Sequence, residues 1–464
     1  MRRTEIAFIA VLLAIIAAAP VVDARLERRG AEPAPSTGRV ISAGWYCPTP
    51  PGDSIDNIIS TANVSDSTMR LRRSAIGGGD ATAIIESDLP RSRRSSIPMR
   101  DLGLADGVGV SEAFGAASTT DMVALDRSGG VSSSRCAAQP WDRWMFAVGS
   151  TSRAHNTFLL VANPFREEAV IRVRIITHDQ DVVPARLKDF VVPEFSQSVI
   201  FLEEFFTETA LFGMEVTATR GRVVASRYMR MAAKDGIRGS SLDIGVRSPF
   251  TQWYFAGGEV PADGEETLVL MNPSSQEALV QVTFPGEKNQ ESSPQIQEIA
   301  LPAGRQVAVK VSDHVPRGTR HSTAVSSTNG VPIIAERQTI APHPSGSKAM
   351  EIVVPVSTAA RKWAVPVGTT AGGTEILSIF NSSGDPGLVK ITLISDRGES
   401  KPAELANLRA EPGRRLTIDM NPFAGAGPAV AVVEAISGEI VVERQVSLGG
   451  PYNDFAESPG QPID

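Results

Sequence analysis

Few residues in this 464-residue chain stand in patterns that do chemistry. The five histidines are His155, His178, His314, His321 and His343. None belongs to an HExxH pair, and neither a paired-cysteine metal spacing nor a GxSxG elbow occurs. Ser345-Gly346-Ser347-Lys348 has the SxxK form, in which a lysine activates a serine. It sits among Pro342, Pro344 and Gly346, in loop sequence and not at a helix start, so a solvated loop is the plainer reading. His178-Asp179-Gln180-Asp181 offers nitrogen and oxygen ligands, as at a weak calcium site, in a predicted hairpin turn. An Asp-rich turn explains it as well. Gly77-Gly78-Gly79-Asp80 lacks the lysine and helix of a phosphate loop. No set joins a nucleophile, a base and a charge stabiliser. The sequence assigns no catalytic, cofactor-binding or metal-binding residue, and the expectation is a protein that is not an enzyme.

Two cysteines remain, Cys47 and Cys136. In an exported chain a pair points to one disulfide. Closing so long a loop is worth roughly 4 kcal/mol in the loop-entropy picture. The alternative is two unpaired buried thiols. A catalytic thiol is disfavoured because no histidine lies between residues 1 and 154.

The elements that would position such residues are copied along the chain. Residues 157–165 read TFLLVANPF, an apolar run closed by Asn-Pro. The phrase returns as TLVLMNP at 267–273 and EILSIFNS at 375–382, with a worn copy, DNIISTAN, at 56–63. The asparagines are Asn63, Asn163, Asn272 and Asn381, spaced 100, 109 and 109. That period is too long for a solenoid and fits a small domain. After each asparagine comes a strand of period two. Its apolar set is Ile171, Val173, Ile175, then Val280, Val282, Phe284, then Val389, Ile391, Leu393. In the first copy the alternation shrinks to Met69 and Leu71 beside Arg70 and Arg72, followed by an insertion-like stretch at 77–94. A weaker core is expected there, offset by the disulfide.

A tight turn follows, with Gly304 and Gly413 at matching offsets. The second copy has Phe195 there, which predicts a different or longer turn. Each copy opens on a tryptophan: Trp45, Trp144, Trp253, Trp363. A core plug or interdomain anchor is the expected role. Trp141 alone is out of register. Each copy closes on an arginine, read as Arg135, Arg227, Arg337 and Arg444 from VSSSR, VVASR, IIAER and IVVER. A strand-face or interdomain ion pair is expected, with a recurrent ligand contact as the sharper alternative.

These markers divide the chain into a signal-anchor or signal peptide (1–23), a flexible tether (24–43), four repeats (44–139, 140–250, 251–358, 359–449) and a disordered tail (450–464). The fold class is all-β: a tandem array of four immunoglobulin-like or fibronectin-like β-sandwich repeats behind an N-terminal membrane helix or signal. A closed array of double propeller blades is the runner-up, against which no half-period near 55 residues is visible. A short helix or turn is allowed over 203–212.

At the N-terminus, Arg2 and Arg3 precede an apolar run from Ile6 to Val22. It reaches the short end of a bilayer crossing and orients the body outside. A cleaved signal has the same layout. Net charge is −7, which weighs against nucleic acid as a partner. The two basic clusters, Arg70/Arg72/Arg73 and Arg91/Arg93/Arg94, read as solvated faces, with anionic polymer or lipid as the alternative.

The export segment, the GWYCP phrase at 44–48 and the strand-Asn-Pro repeat together resemble an uncharacterised actinobacterial envelope family, a domain of unknown function. The resemblance implies export and an envelope setting and transfers no catalytic residue. The expected function is a non-catalytic extracytoplasmic interaction protein, single-pass in the membrane or secreted, facing envelope protein or cell-wall polymer. A cell-wall carbohydrate binder is the alternative.

Overall fold

Alternating apolar residues build strands throughout, and a computed structural model shows how they pair. It describes residues 42–463, except 78–79, 83, 128–129, 233–235, 288–292, 343–345, 347, 369–372 and 449–453. The N-terminal segment 1–23, nearly all of the tether, and Ser345 and Ser347 of the SxxK phrase lie outside the described residues. The described residues form one compact unit. Its secondary structure is strand plus short 3-10 turns, one of which, Leu202–Glu204, occupies part of the 203–212 stretch. No described helix is long and apolar enough to cross a membrane.

The second repeat shows the plan. One sheet orders Arg143–Phe146, Gly213–Arg220 and Ala169–Ile176, with Asp181–Val182 and Phe190–Val192 both on the last strand's free side. The other orders Ser196–Phe201, His155–Asn163, Val224–Ala232 and Ile237–Ile244. Counting in chain order, with the two short strands Asp181–Val182 and Phe190–Val192 taken together as the fourth, the sheets read 1-6-3-4 and 5-2-7-8, and the other three repeats keep the same pairings. In the immunoglobulin order the first strand lies beside the second; here it lies beside the sixth. Ile171, Val173 and Ile175 of one sheet and Leu159, Val161 and Ala225 of the other fill one core. Each repeat therefore holds two sheets facing each other, not two separate blades, and the second and third repeats share one eight-stranded sheet through Ile237–Ile244 and Lys348–Val353.

The asparagines recur in matching surroundings, including the worn copy. All four are fully buried. Each Nδ2 donates to the carbonyl four residues on: Ser67, Glu167, Gln276 or Asp385, at 2.7 to 2.9 Å. It also donates to a carbonyl at the end of the fourth strand: Leu89, Val192, Leu301 or Ala410. Each Oδ1 accepts the N–H two residues on, from Ser65, Phe165, Ser274 or Ser383. The side chain satisfies the backbone of a turn that the core covers, which otherwise would hold orphaned polar groups.

The tryptophans are also equivalent. Trp144, Trp253 and Trp363 donate Nε1–H at 2.8 Å to the carbonyls of Val223, Ile333 and Ile440, while Trp45 donates to the Ser118 hydroxyl. All four are buried core plugs. Cys47 and Cys136 form the disulfide, joining the first strand, Ser42–Thr49, to the residue after Gly130–Arg135.

Four expectations need correction. The turn at Phe195 is not different: Phe195 adopts φ 42°, beside 63° and 61° at Gly304 and Gly413, and Ser92 takes the same place at 50°. Closing strands four and five demands the left-handed conformation whatever residue is present. The first repeat is not reduced, because Met69–Gly77 is a full strand in which Arg73 takes an inward place and reaches Ser95. Its insertion-like stretch forms strand Ile85–Leu89 and leads into Arg93–Pro98. The tail beyond 453 is not disordered: Asp454–Pro459 is the eighth strand of the fourth repeat, and Gln461–Pro462 pairs with Lys362–Val367. That last pairing repeats a rule, since Ala137, Val246 and Val356 likewise return to their own repeat's first strand.

Nor are the repeats a row. The eighth strands Gly130–Arg135, Ile237–Ile244, Lys348–Val353 and Asp454–Pro459 each touch the next, and the last touches the first. Shared cores cross every junction, from Leu160 and Tyr228 against the first repeat to Ala62 against Ile394, Val430 and Val432 of the fourth. The four repeats close head to tail into a ring, as heterologous contacts do when the rotation sums to a full turn.

Two outcomes follow. Ser92→Gly should raise stability by up to about 1 kcal/mol by relieving a positive φ, read as a higher denaturant midpoint. Asn272→Ala should cost about 2–4 kcal/mol, because buried carbonyls lose their donor.

Candidate functional site

The buried charge of this chain is concentrated where repeats meet. Leu159, Leu268 and Leu377 on the second strands stand opposite Arg227, Arg337 and Arg444 on the seventh. In the first repeat the same register places Met122 opposite Ile59. Arg135 is therefore not the first copy's equivalent: it lies on the eighth strand, opposite Asp121. The VSSSR phrase misled because the hairpin before it is followed by a strand of similar composition.

The residue before each of these positions is Asp121, Ser226, Glu336 or Glu443. It receives the arginine of the preceding repeat. Arg227 bonds Glu336, and Arg337 bonds Glu443. Each arginine also binds a carboxylate from an eighth strand, Asp243 at 2.7 Å for Arg227 and Glu457 at 2.9 Å for Arg337. Backbone completes the set: Glu336 accepts the Val148 N–H, and Glu443 accepts the Gly257 N–H. The guanidinium carbons stand 5.6 Å over Phe146 and 5.2 Å over Phe255. Arg444 bonds Glu375 at 2.6 Å within its own repeat. Burial holds the Asp121 carboxyl above its ordinary value, against the pull of Arg94 and, across the ring-closing seam, of Arg444. Between the first and second repeats the pattern carries Met122 and Ser226, so both ionic partners are missing together.

Burial disfavours every charge in this array. It pushes the Glu336 and Glu457 carboxyls up to about 7, against the pull of Arg227 and Arg337. Arg227 itself is held above its ordinary value, because Glu336 and Asp243 outweigh desolvation. The directions agree on composition: one guanidinium faces two carboxyls in each set, so the arginine stays charged while burial favours the proton on Glu336, Asp243 and Glu457.

A second recurring contact reaches back. Gln197 donates to the Thr49 carbonyl at 2.9 Å, Gln306 to Ala147, and Arg415 to Gly258. Arg94 holds this position in the first repeat and instead donates to Ser60 within its own repeat. Burial lowers the Arg415 pKa to about 10. Beside Arg415, the buried ring of His321 stands 3.3 Å from Glu266.

The remaining sequence candidates are surface or seam features. Asp181 of the His178–Asp181 turn is held by Arg174. Lys348 of the SxxK phrase meets Asp263 at 3.3 Å. Of the basic clusters, Arg70 pairs with Glu86, Arg72 with Glu112, and Arg93 donates to the Asp396 carbonyl across the seam. Arg135 lines a cavity of about 20 Å³ between the first and fourth repeats, with Asp121, Ser133 and Ser458. That is room for a single water beside these polar atoms. Trp141 is half-buried, with Arg247 5.0 Å over its ring.

A family model, DUF5719, described as a family of unknown function, matches residues 102–245 and 246–463. The chain belongs to that family. The break between the two DUF5719 matches falls at the junction of the second and third repeats. No curated protein matches. Among solved structures, one titled Crystal Structure of Thermotoga maritima 1070 is 15% identical, covering 24% of this chain and 97% of that one, with TM-score 0.22. The Anabaena sensory rhodopsin transducer is 24% identical, covering 19% and 88%, with TM-score 0.17.

Arg337→Met should cost about 3–5 kcal/mol by stranding buried carboxylates. Adding Glu443→Gln and Glu457→Gln should recover much of that loss, a coupling that denaturant unfolding of the single and combined variants measures.

Proposed function

We propose that this chain is a non-catalytic structural or interaction protein of the cell envelope. Its N-terminal apolar segment tethers it to the membrane, with the ring on the extracytoplasmic side presenting β-sandwich repeats to protein or polymer partners. The observation that carries this reading is the Cys47–Cys136 disulfide. Such a bridge persists in oxidising compartments and is rare in the cytosol. The apolar run from Ile6 to Val22 behind Arg2 and Arg3 supplies a route to one. The commitment of Arg227 and Arg337 to contacts that join neighbouring repeats supports a scaffold role. An actinobacterial envelope setting rests on the resemblance in the GWYCP and strand-Asn-Pro phrases.

A second reading, binding to cell-wall glycan, is favoured by one feature. The four in-register tryptophans are in the core, which leaves Trp141 as a partly accessible indole with a cation over it. Stacking on a sugar needs such a ring at the surface.

Cell fractionation with external protease tests the first reading. The chain should sediment with membranes and be cleaved from outside in intact cells; a cytosolic, protected chain would overturn it. Retention on purified wall material, lost in Trp141→Ala, would favour the glycan reading instead. A further check is intact mass before and after reduction, which should differ by two protons.

A further inference from the structure

Glu351 is the acid that the ionic array leaves out. It lies on Lys348–Val353, one of the four strands that meet where the ring closes on itself, and is completely buried. Neither carboxyl oxygen has a hydrogen-bond partner of ordinary geometry among the described residues, and nor does the hydroxyl of Thr339, its cross-strand neighbour. The charges around it come from every packed strand. Its neighbour strand Ile334–Pro342 brings Glu336 and Arg337, Ile237–Ile244 brings Arg238 and Asp243, and Asp454–Pro459 brings Asp454 and Glu457. Arg135, Glu443 and Arg444 stand on the other strands that line the meeting point. The nearby arginines are engaged: Arg227 with Asp243 and Glu336, Arg337 with Glu443 and Glu457. Asp454 is spent on backbone, accepting N–H bonds from Val131 and Ser240 of two other repeats. Among the described residues no cation pairs with Glu351, and ionising it would place a charge beside the buried carboxyls of Asp243, Asp454 and Glu457.

We propose that Glu351 is a proton-operated latch: with its carboxyl neutral the four eighth strands pack shut, and removal of that proton drives them apart. Burial, with Asp243, Asp454 and Glu457 facing it, holds this carboxyl well above its ordinary value, while the Glu457 backbone N–H draws it the other way. The sign follows from linkage. The folded chain holds a proton that the unfolded chain has already released, so stability is complete at acid pH and falls as pH rises through the folded pKa. One such proton lowers the folding constant up to about tenfold per pH unit.

The experiment is thermal and denaturant unfolding of the full chain, disulfide intact, from pH 5 to pH 9, for wild type and Glu351→Gln. Wild type should lose stability toward alkaline pH more steeply than Glu351→Gln, with the difference approaching tenfold in folding constant per unit. Hydrogen exchange in the eighth strands should quicken with pH in wild type beyond its chemical rate, and not in the variant. Parallel pH profiles for the two proteins would overturn the proposal. If Glu351→Gln does not fold, Glu351→Met replaces it in the same comparison. If neither folds, hydrogen exchange in wild type decides: exchange that quickens with pH, beyond its chemical rate, first in the four eighth strands supports the latch, and exchange that quickens everywhere at once or not in those strands overturns it.

Discussion

A buried guanidinium cannot stand alone, and for Arg227 and Arg337 in this ring a partner comes from the next repeat. Moving one ion into the interior costs several kcal/mol, recovered only if the counter-ion is placed well and the remaining donors are satisfied. Arg227 places its terminal nitrogens on Glu336, Asp243 and the Val148 carbonyl, and Arg337 on Glu443, Glu457 and the Gly257 carbonyl, with only the Nε of each left without a partner among the described residues. Each set draws atoms from two repeats, so neither repeat can bury its half without the other. The repeats are thereby obliged to sit in one register around the ring. Apolar area supplies the attraction, through cores that run across every junction, but it is non-directional. The ionic sets supply the angle.

The junction between the first two repeats shows what the pairs do by lacking one. There Met122 and Ser226 hold the positions of arginine and acid, and the contact is carried by Leu160, Tyr228 and Leu242 against the core around Trp45. The disulfide lies in the same repeat, fixing Ser42–Thr49 near the end of Gly130–Arg135. The first repeat thus replaces an electrostatic constraint with apolar packing and a covalent one. At the closing junction, where no linker joins the first and fourth repeats, the contact is carried by Asp454, Arg93 and the packing of Ala62 on Ile394, Val430 and Val432.

The same arrangement that rigidifies the ring leaves its centre rich in carboxylates. Six acids, Asp243, Glu336, Glu351, Glu443, Asp454 and Glu457, outnumber the arginines among them, Arg227 and Arg337 with Arg135, Arg238 and Arg444 on the surrounding strands. In a low-dielectric interior that imbalance is relieved by protons and not by charge separation. A fold assembled from copied units concentrates whatever its inner strands carry, because equivalent positions converge on one axis.

Much of the local architecture was legible in the chain itself. The spacing of Asn63, Asn163, Asn272 and Asn381 announced the copies, and period-two alternation at Ile171, Val173 and Ile175 announced the strands. Both signals are short-range, since a turn's hydrogen bonds and a strand's faces are set by residues a few positions apart. Even the acids of the ionic sets stood in plain view, as the glutamates of IIAER and IVVER. Their meaning did not. A sequence read one repeat at a time shows Glu336 beside Arg337, yet the bonds run from Arg227 to Glu336 and from Arg337 to Glu443. Strand order within each sandwich, the equivalence of Met122 rather than Arg135, and the order in the tail all depend on pairings between residues far apart in the chain. Ring closure depends on a rotation accumulated over four interfaces. Such terms have no footprint in local pattern, because each is fixed only when the partner surface has folded and the shared charge has been taken out of water.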